Sequence, residues 1–241
     1  MQFRMLDAFR ALFDGHIYRH RSSGQGDLIS RELYEDLYNI RRSSKFNSSV
    51  DRLQRGLNIG NIRQGISARR GDGTLGELVP GQPVTQVSGS AIARGRVATL
   101  DIGVEVKILN KAMIKQINDR IAGLQSQAEY FAKGRDGRRR GNPIAAAIIG
   151  LNCAEYTIGY EGDRSYRTDG SGNQPHPNQE VDEVERRLTA EVRPSFDEMV
   201  VLRYKATNEA PFAFAWANEN EARATYGASL VRIALEFEKR F

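Results

Sequence analysis

The sequence predicts an α/β protein, with a central mixed or parallel sheet flanked by helices and an N-terminal helical segment. Three observations carry this expectation. From Arg96 onward, apolar strand-like runs alternate with amphipathic runs of helical period, in the order strand, helix, strand, helix, strand, helix. Residues 1–65 show helical periodicity alone. Between them, residues 65–95 are rich in Gly, Ser and Pro and read as loops and short strands. The predicted division is a helical lobe over residues 1–65 and an α/β core over residues 66–241.

The helical segment is justified first. Phe3, Leu6, Phe9 and Phe13 fall on one stripe, with Leu12 alongside. A second helix reads from "ISRELYEDLYNI", with Ser30 as its N-cap and Leu33, Leu37 and Ile40 together. "NSSVDRLQRGLNI" reads as a third, shorter helix carrying Val50, Leu53 and Leu57. The aromatic stripes here read as core.

The downstream elements follow. "RVATLDIGVEVKIL", residues 96–109, alternates with period 2 and reads as a strand. The stretch from Asn110 to Lys133 is a long amphipathic helix with Ile114, Ile117, Ile121, Leu124 and Ala128 on one stripe. "PIAAAIIGLNCA" is continuously apolar, as a strand covered on both faces should be. "EVDEVERRLTAEV" is a helix, "EMVVLRYKATN" a strand, and the chain closes with a helix. Tyr160, Arg164 and Tyr166 lie in a turn-rich stretch that either contacts nucleic acid or is a long surface loop.

Composition narrows the function classes. The chain has 241 residues, 27% charged and 40% hydrophobic, which is ordinary globular usage. A single cysteine, Cys153, rules out an intrachain disulfide and removes thiolate clusters. The three histidines are too scattered for a zinc set, and no phosphate-binding loop or dinucleotide fingerprint is present. No stretch reaches the roughly 20 apolar residues of a membrane helix, so a cytoplasmic protein without a membrane partner is expected. The net charge of +5 resides in residues 1–72, which hold 13 Lys and Arg against 8 Asp and Glu. A second cluster, "KGRDGRRRG", contains Arg138, Arg139 and Arg140. Such clusters suit a polyanion such as DNA.

The chemistry-bearing stretch is "LDIGVEVKIL", residues 100–109. Ala98, Leu100, Ile102, Val104, Val106 and Ile108 make one face of an extended strand. Val97, Thr99, Asp101, Gly103, Glu105, Lys107 and Leu109 make the other. Glu105 and Lys107 project side by side, about 7 Å apart at Cα. A carboxylate that holds Mg²⁺ and a lysine that orients a water or stabilises developing charge are what phosphodiester hydrolysis needs. The same polar face also fits a solvated surface or a salt-bridged helix.

Glu105-Val106-Lys107 on a strand, followed by a long helix and further α/β units, resembles the E-x-K half of the PD-(D/E)XK, restriction-endonuclease-like nucleases. The resemblance covers roughly residues 65–205 and implies a Mg²⁺-dependent DNA endonuclease, expected as a homodimer. It implies metal binding by Glu105 and an upstream acid, with Lys107 assisting the attacking water. The upstream acid departs from the family pattern. Asp101 is four residues from Glu105, about 13 Å along an unbroken strand. It reaches the site only if Gly103 opens a bulge or turn. Other acids upstream are Glu77, 28 residues before Glu105, and Asp72 in "RRGDG"; Glu77 has the more family-like spacing, and Asp101 and Glu77 are the candidates kept. Lys111 and Lys115, at i, i+4 on the following helix, are candidate DNA contacts beside Arg138–Arg140. The alternative is a basic nucleic-acid-binding or assembly protein that keeps a nuclease-like core without catalysis.

Overall fold

In the computed structural model, residues 2–19, 24–59, 71–133, 142–161 and 164–241 are described. The element order is α1 (Arg4–Ala11), α2 (Gly24–Asn39), α3 (Ser44–Asp51), β1 (Arg55–Asn58), β2 (Gly73–Glu77), β3 (Val84–Thr85), β4 (Arg94–Gly95), β5 (Ile102–Leu109) and α4 (Met113–Lys133). It continues with β6 (Ile144–Asn152), β7 (Ile158–Glu161), β8 (Arg164–Arg167), α5 (Pro177–Glu191), β9 (Glu198–Ala206), β10 (Phe214–Trp216) and α6 (Glu219–Arg240). Among the described residues, no helix is long and apolar enough to cross a membrane.

A mixed eight-stranded sheet, ordered β10-β9-β6-β5-β2-β1-β4-β3, is the centre of the molecule. β5, β6 and β9 are parallel, joined by α4 and α5 as crossovers. β2 lies antiparallel to β5, with Gly73 opposite Val104 and Leu75 opposite Ile102. The α/β order expected downstream of Arg96 is present. β6 is buried at every position, as its continuous apolar run requires.

One face of the sheet buries Ile102, Val104, Val106, Ile148 and Leu202 against α1, α2 and α6. The other buries Leu109, Ala147, Ile149 and Met199 against α4 and α5. The N-terminal helices pack directly into the first core. Buried acids of α2 fix them there: Asp36 accepts from the N–H groups of Arg4 and Met5 at 2.8 and 2.9 Å, capping the orphan donors of α1. Glu35 accepts from the N–H groups of Ala91 and Ile92 at 2.9 and 3.0 Å.

Several local expectations are corrected. The second helix begins at Gly24, six residues before Ser30, which is buried within it. The third predicted helix stops at Asp51, and Leu57 belongs to β1 because the chain joins the sheet there. Met113, in place of Ile114, faces the core of α4, because Glu180 accepts from both N–H groups at 3.0 and 3.1 Å and sets the first turn. The turn-rich stretch after β6 contains the β7–β8 hairpin, with Ile158 opposite Arg167.

The strand predicted over residues 96–109 starts only at Ile102. Leu100 leaves the alternation and joins the second core. The polar face of β5 is buried at Gly103 and Glu105 under α4, and Lys107 is half-buried. A Cβ on Gly103 would sit 2.6–2.8 Å from the Phe131 ring, so only glycine lets α4 approach there. Gly103 remains paired with Thr74 and Ala145 and opens no turn.

Candidate active site

Glu105 and Lys107 lie on the α4 side of β5 and form an ion pair, with Glu105 7% exposed. The acid brought beside them is Asp72. Its N–H donates to Val104 O at 3.1 Å, and its carboxylate accepts from the Val106 N–H at 2.7 Å. Asp72 thus bridges the strand on either side of Glu105, where the β2–β5 ladder ends. The N–H and C=O of one strand residue point to the same side, so the Val106 carbonyl shares that edge. The Asp72 carboxylate and the Val106 carbonyl thus lie on the edge of β5 at the residue that follows Glu105.

Helix α2 closes this edge from the other face. A Cβ on Gly26 would lie 2.3 Å from Asp72 Cγ, and one on Gly73 would lie 2.5 Å from Ser30 Oγ. The two glycines let the first turn of α2 sit on the start of β2. The Ser30 hydroxyl oxygen is 3.0 Å from Asp72 O and 3.1 Å from Asp27 O. The positive end of the α2 dipole also favours an anion at Asp72.

On the α4 side, Gln127 is 3% exposed and its Nε2 has no hydrogen-bond partner among the described residues. Phe131 covers Gly103. One turn back along α4 is about 6 Å, close to two residues on the antiparallel-running strand. Gln127, one turn before Phe131 on α4, is thus a buried donor on the helix that covers β5.

The other expected acids are elsewhere. Asp101 continues the extended chain: its N–H donates to Leu75 O and its carbonyl accepts from the Ile144 N–H, at 2.9 and 2.8 Å. It is therefore not folded back onto Glu105. Its buried carboxylate accepts from Arg55 Nε at 2.7 Å and from Thr99 Oγ1 at 2.8 Å. Burial pushes its carboxyl above the ordinary range, against the pull of Arg55. Glu77 also faces Arg55, at 3.8 Å, at the opposite end of β2 from Asp72. These two acids are partners of Arg55, away from the Asp72 end of β2.

The expected DNA contacts divide. Lys111 precedes α4, so it does not share a helix face with Lys115. Its Nζ lies 3.4 Å from the Tyr166 ring centre, a cation–π contact with β8. Lys115 is exposed on the first turn of α4. Arg138, Arg139 and Arg140 lie outside the described residues. Cys153 Sγ donates to Tyr204 O at 3.1 Å, and burial pushes its thiol pKa up.

Among the described residues, no group of three His, Cys, Asp or Glu side chains is placed to hold a metal ion. Comparison with family models, with curated proteins and with solved structures gave no match to this chain.

Proposed function

We propose that the chain is a Mg²⁺-dependent DNA endonuclease with a restriction-endonuclease-like core. The observation that supports this reading is the placement of Asp72 against the β5 segment that carries Glu105 and Lys107. The donor chemistry fits a hard cation: Mg²⁺ needs only one or two carboxylates and completes its shell with water and substrate phosphate. Asp72 and Glu105, with the Val106 carbonyl, would hold it. A bound Mg²⁺ would supply a water of lowered pKa and charge neutralisation at the phosphate.

The chain's own groups do the rest. Lys107, balanced by Glu105, puts a cation next to the carboxylates, where a phosphate oxygen or an attacking water comes within reach. Gln127 has an amide donor to fix the Glu105 carboxylate once Lys107 turns to substrate. Lys111, Lys115 and the basic stretch at Arg138–Arg140 would bind the DNA backbone.

The test is cleavage of supercoiled plasmid with Mg²⁺ by the wild type and by Lys107→Ala. Wild-type cleavage that survives in the variant would sink this mechanism. The presence of two rather than three clustered acids favours a second reading, a DNA-binding or assembly protein without catalysis. That reading predicts binding that weakens with salt and no cutting by the wild type with any divalent ion.

A further inference from the structure

Ser30 lies in the second turn of α2 and is 2% exposed. Serine is a poor residue for a helix interior, because its hydroxyl competes for backbone partners. Ala would fit the same space with better helix propensity, so what the serine adds is a hydrogen bond. Its one proton has two carbonyls in reach, Asp72 O at 3.0 Å and Asp27 O at 3.1 Å. Asp27 O lies inside α2, where the helix ladder brings it an N–H from four residues on. Asp72 O lies just before β2, outside that ladder. The bond to Asp72 is therefore the one for which the hydroxyl is needed.

Gly26, Ser30 and Tyr34 stand four residues apart and form one stripe of α2. The stripe lies along the entry into β2. Gly26 leaves room for the Asp72 carboxylate, Ser30 meets the Asp72 carbonyl, and Tyr34 donates to Ile102 O on β5 at 3.0 Å. The strand makes room in turn. A Cβ on Gly73 would lie 2.5 Å from Ser30 Oγ and 3.3 Å from the Tyr34 ring.

Asp72 is also held from β5. Its N–H donates to Val104 O at 3.1 Å, and its carboxylate accepts from the Val106 N–H at 2.7 Å. Ser30 adds a hold on the carbonyl. Peptide groups are planar, so fixing the N–H and the carbonyl of one residue fixes both of its soft dihedrals. The direction of its Cβ follows.

We propose that Ser30 is a positioning residue for Asp72: through the Asp72 carbonyl it aims the carboxylate at the Val106 N–H on the edge of β5. Its bearing on catalysis rests on the nuclease reading, whereas its placing of the carboxylate does not.

Amide hydrogen exchange of the full chain, followed by NMR, tests this in the wild type, Ser30→Ala, Gly73→Ala and Ser49→Ala. Ser49 is the matched control. It is 3% exposed in α3, and its hydroxyl donates to Phe46 O at 2.8 Å, the same kind of intrahelical bond. Exchange at Val106 is taken relative to Ile148, its partner on β6, so that a uniform change of stability cancels. This ratio should rise at least about tenfold in Ser30→Ala and keep its wild-type value in Ser49→Ala. Gly73→Ala, which pushes the serine from the strand side, should raise it as well. Unchanged protection of Val106 in Ser30→Ala, or an equal rise in Ser49→Ala, would overturn the proposal. In plasmid cleavage with Mg²⁺, Ser30→Ala should lower kcat at least about tenfold and leave KM for DNA near the wild-type value. A wild type that does not cleave would overturn the nuclease reading, and exchange at Val106 would still decide the role of Ser30. Wild-type kcat in a Ser30→Ala variant that has lost Val106 protection would overturn the catalytic bearing of Ser30.

Discussion

Asp72 and Val106 are joined by a side-chain-to-backbone hydrogen bond of 2.7 Å, which puts the Asp72 carboxylate beside the residue that follows Glu105. The bond separates shape from charge. Asn at position 72 keeps an acceptor for the Val106 N–H and removes the negative charge. Asp72→Asn should therefore fold with a near-normal melting temperature and lose Mg²⁺-dependent cleavage by about 100-fold or more. Calorimetric titration with Mn²⁺ should show weakened binding. Full activity in this variant would remove Asp72 from the site.

Gly26 and Gly24 form a matched pair within one turn of α2. Ala normally stabilises a helix by about 1 kcal/mol over Gly. At Gly24 nothing lies within 4 Å of a new Cβ, so Gly24→Ala should raise the melting temperature slightly and keep activity. At Gly26 the new Cβ would lie 2.3 Å from Asp72 Cγ and must displace it. Gly26→Ala should lose cleavage despite its better helix propensity. Equal behaviour of the two variants would show that Asp72 tolerates displacement.

Gln127 carries a buried donor with no partner among the described residues, and such a group costs about 1–3 kcal/mol. Gln127→Leu should leave stability unchanged or raise it by about 1 kcal/mol in urea unfolding. If the amide serves Glu105 during catalysis, the same variant should cleave at least about tenfold more slowly. A stabilised variant with normal cleavage would assign Gln127 no role in the site.

Asp101 should matter to stability and not to chemistry. Asp101→Ala leaves Arg55 without its hydrogen-bonded carboxylate and should cost about 3 kcal/mol, with activity per folded molecule retained. Its pH dependence has an unusual sign. A carboxyl whose pKa is raised on folding adds stability below its ordinary value near 3.9, and loses that contribution as pH rises through the raised value. Relative to Asp101→Asn, the wild type should gain stability between about pH 7 and about pH 4. A relative loss on acidification would mean that Arg55 outweighs burial.

Much of the fold was legible from periodicity. β6 and β9 and the core stripes of α4 and α5 follow from which residues are apolar and at what spacing, because burial selects those patterns directly. Boundaries set by tertiary contacts were not legible. α2 begins before Ser30 because its first turn docks through Gly26 onto Asp72, and glycine gives no apolar signal. Ile114 is displaced from the core by Glu180, an interaction across 66 residues.

Glu105 and Lys107 could be singled out from sequence alone, since two residues on one strand face are neighbours by local geometry. Their companion could not. Asp101, Glu77 and Asp72 all stand upstream, and family-like spacing points to Glu77 rather than Asp72. The antiparallel register of β2 against β5 puts Asp72 next to the Glu105 stretch and Glu77 at the far end with Arg55. The sequence left open whether the polar face of β5 meets solvent or a helix. The missing Cβ of Gly103 admits Phe131 and with it α4, which covers the Gly103 end of that face and leaves Lys107 partly exposed. Local covalent order determines which side chains share a strand face, whereas pairing register and close approach between elements decide which acids meet.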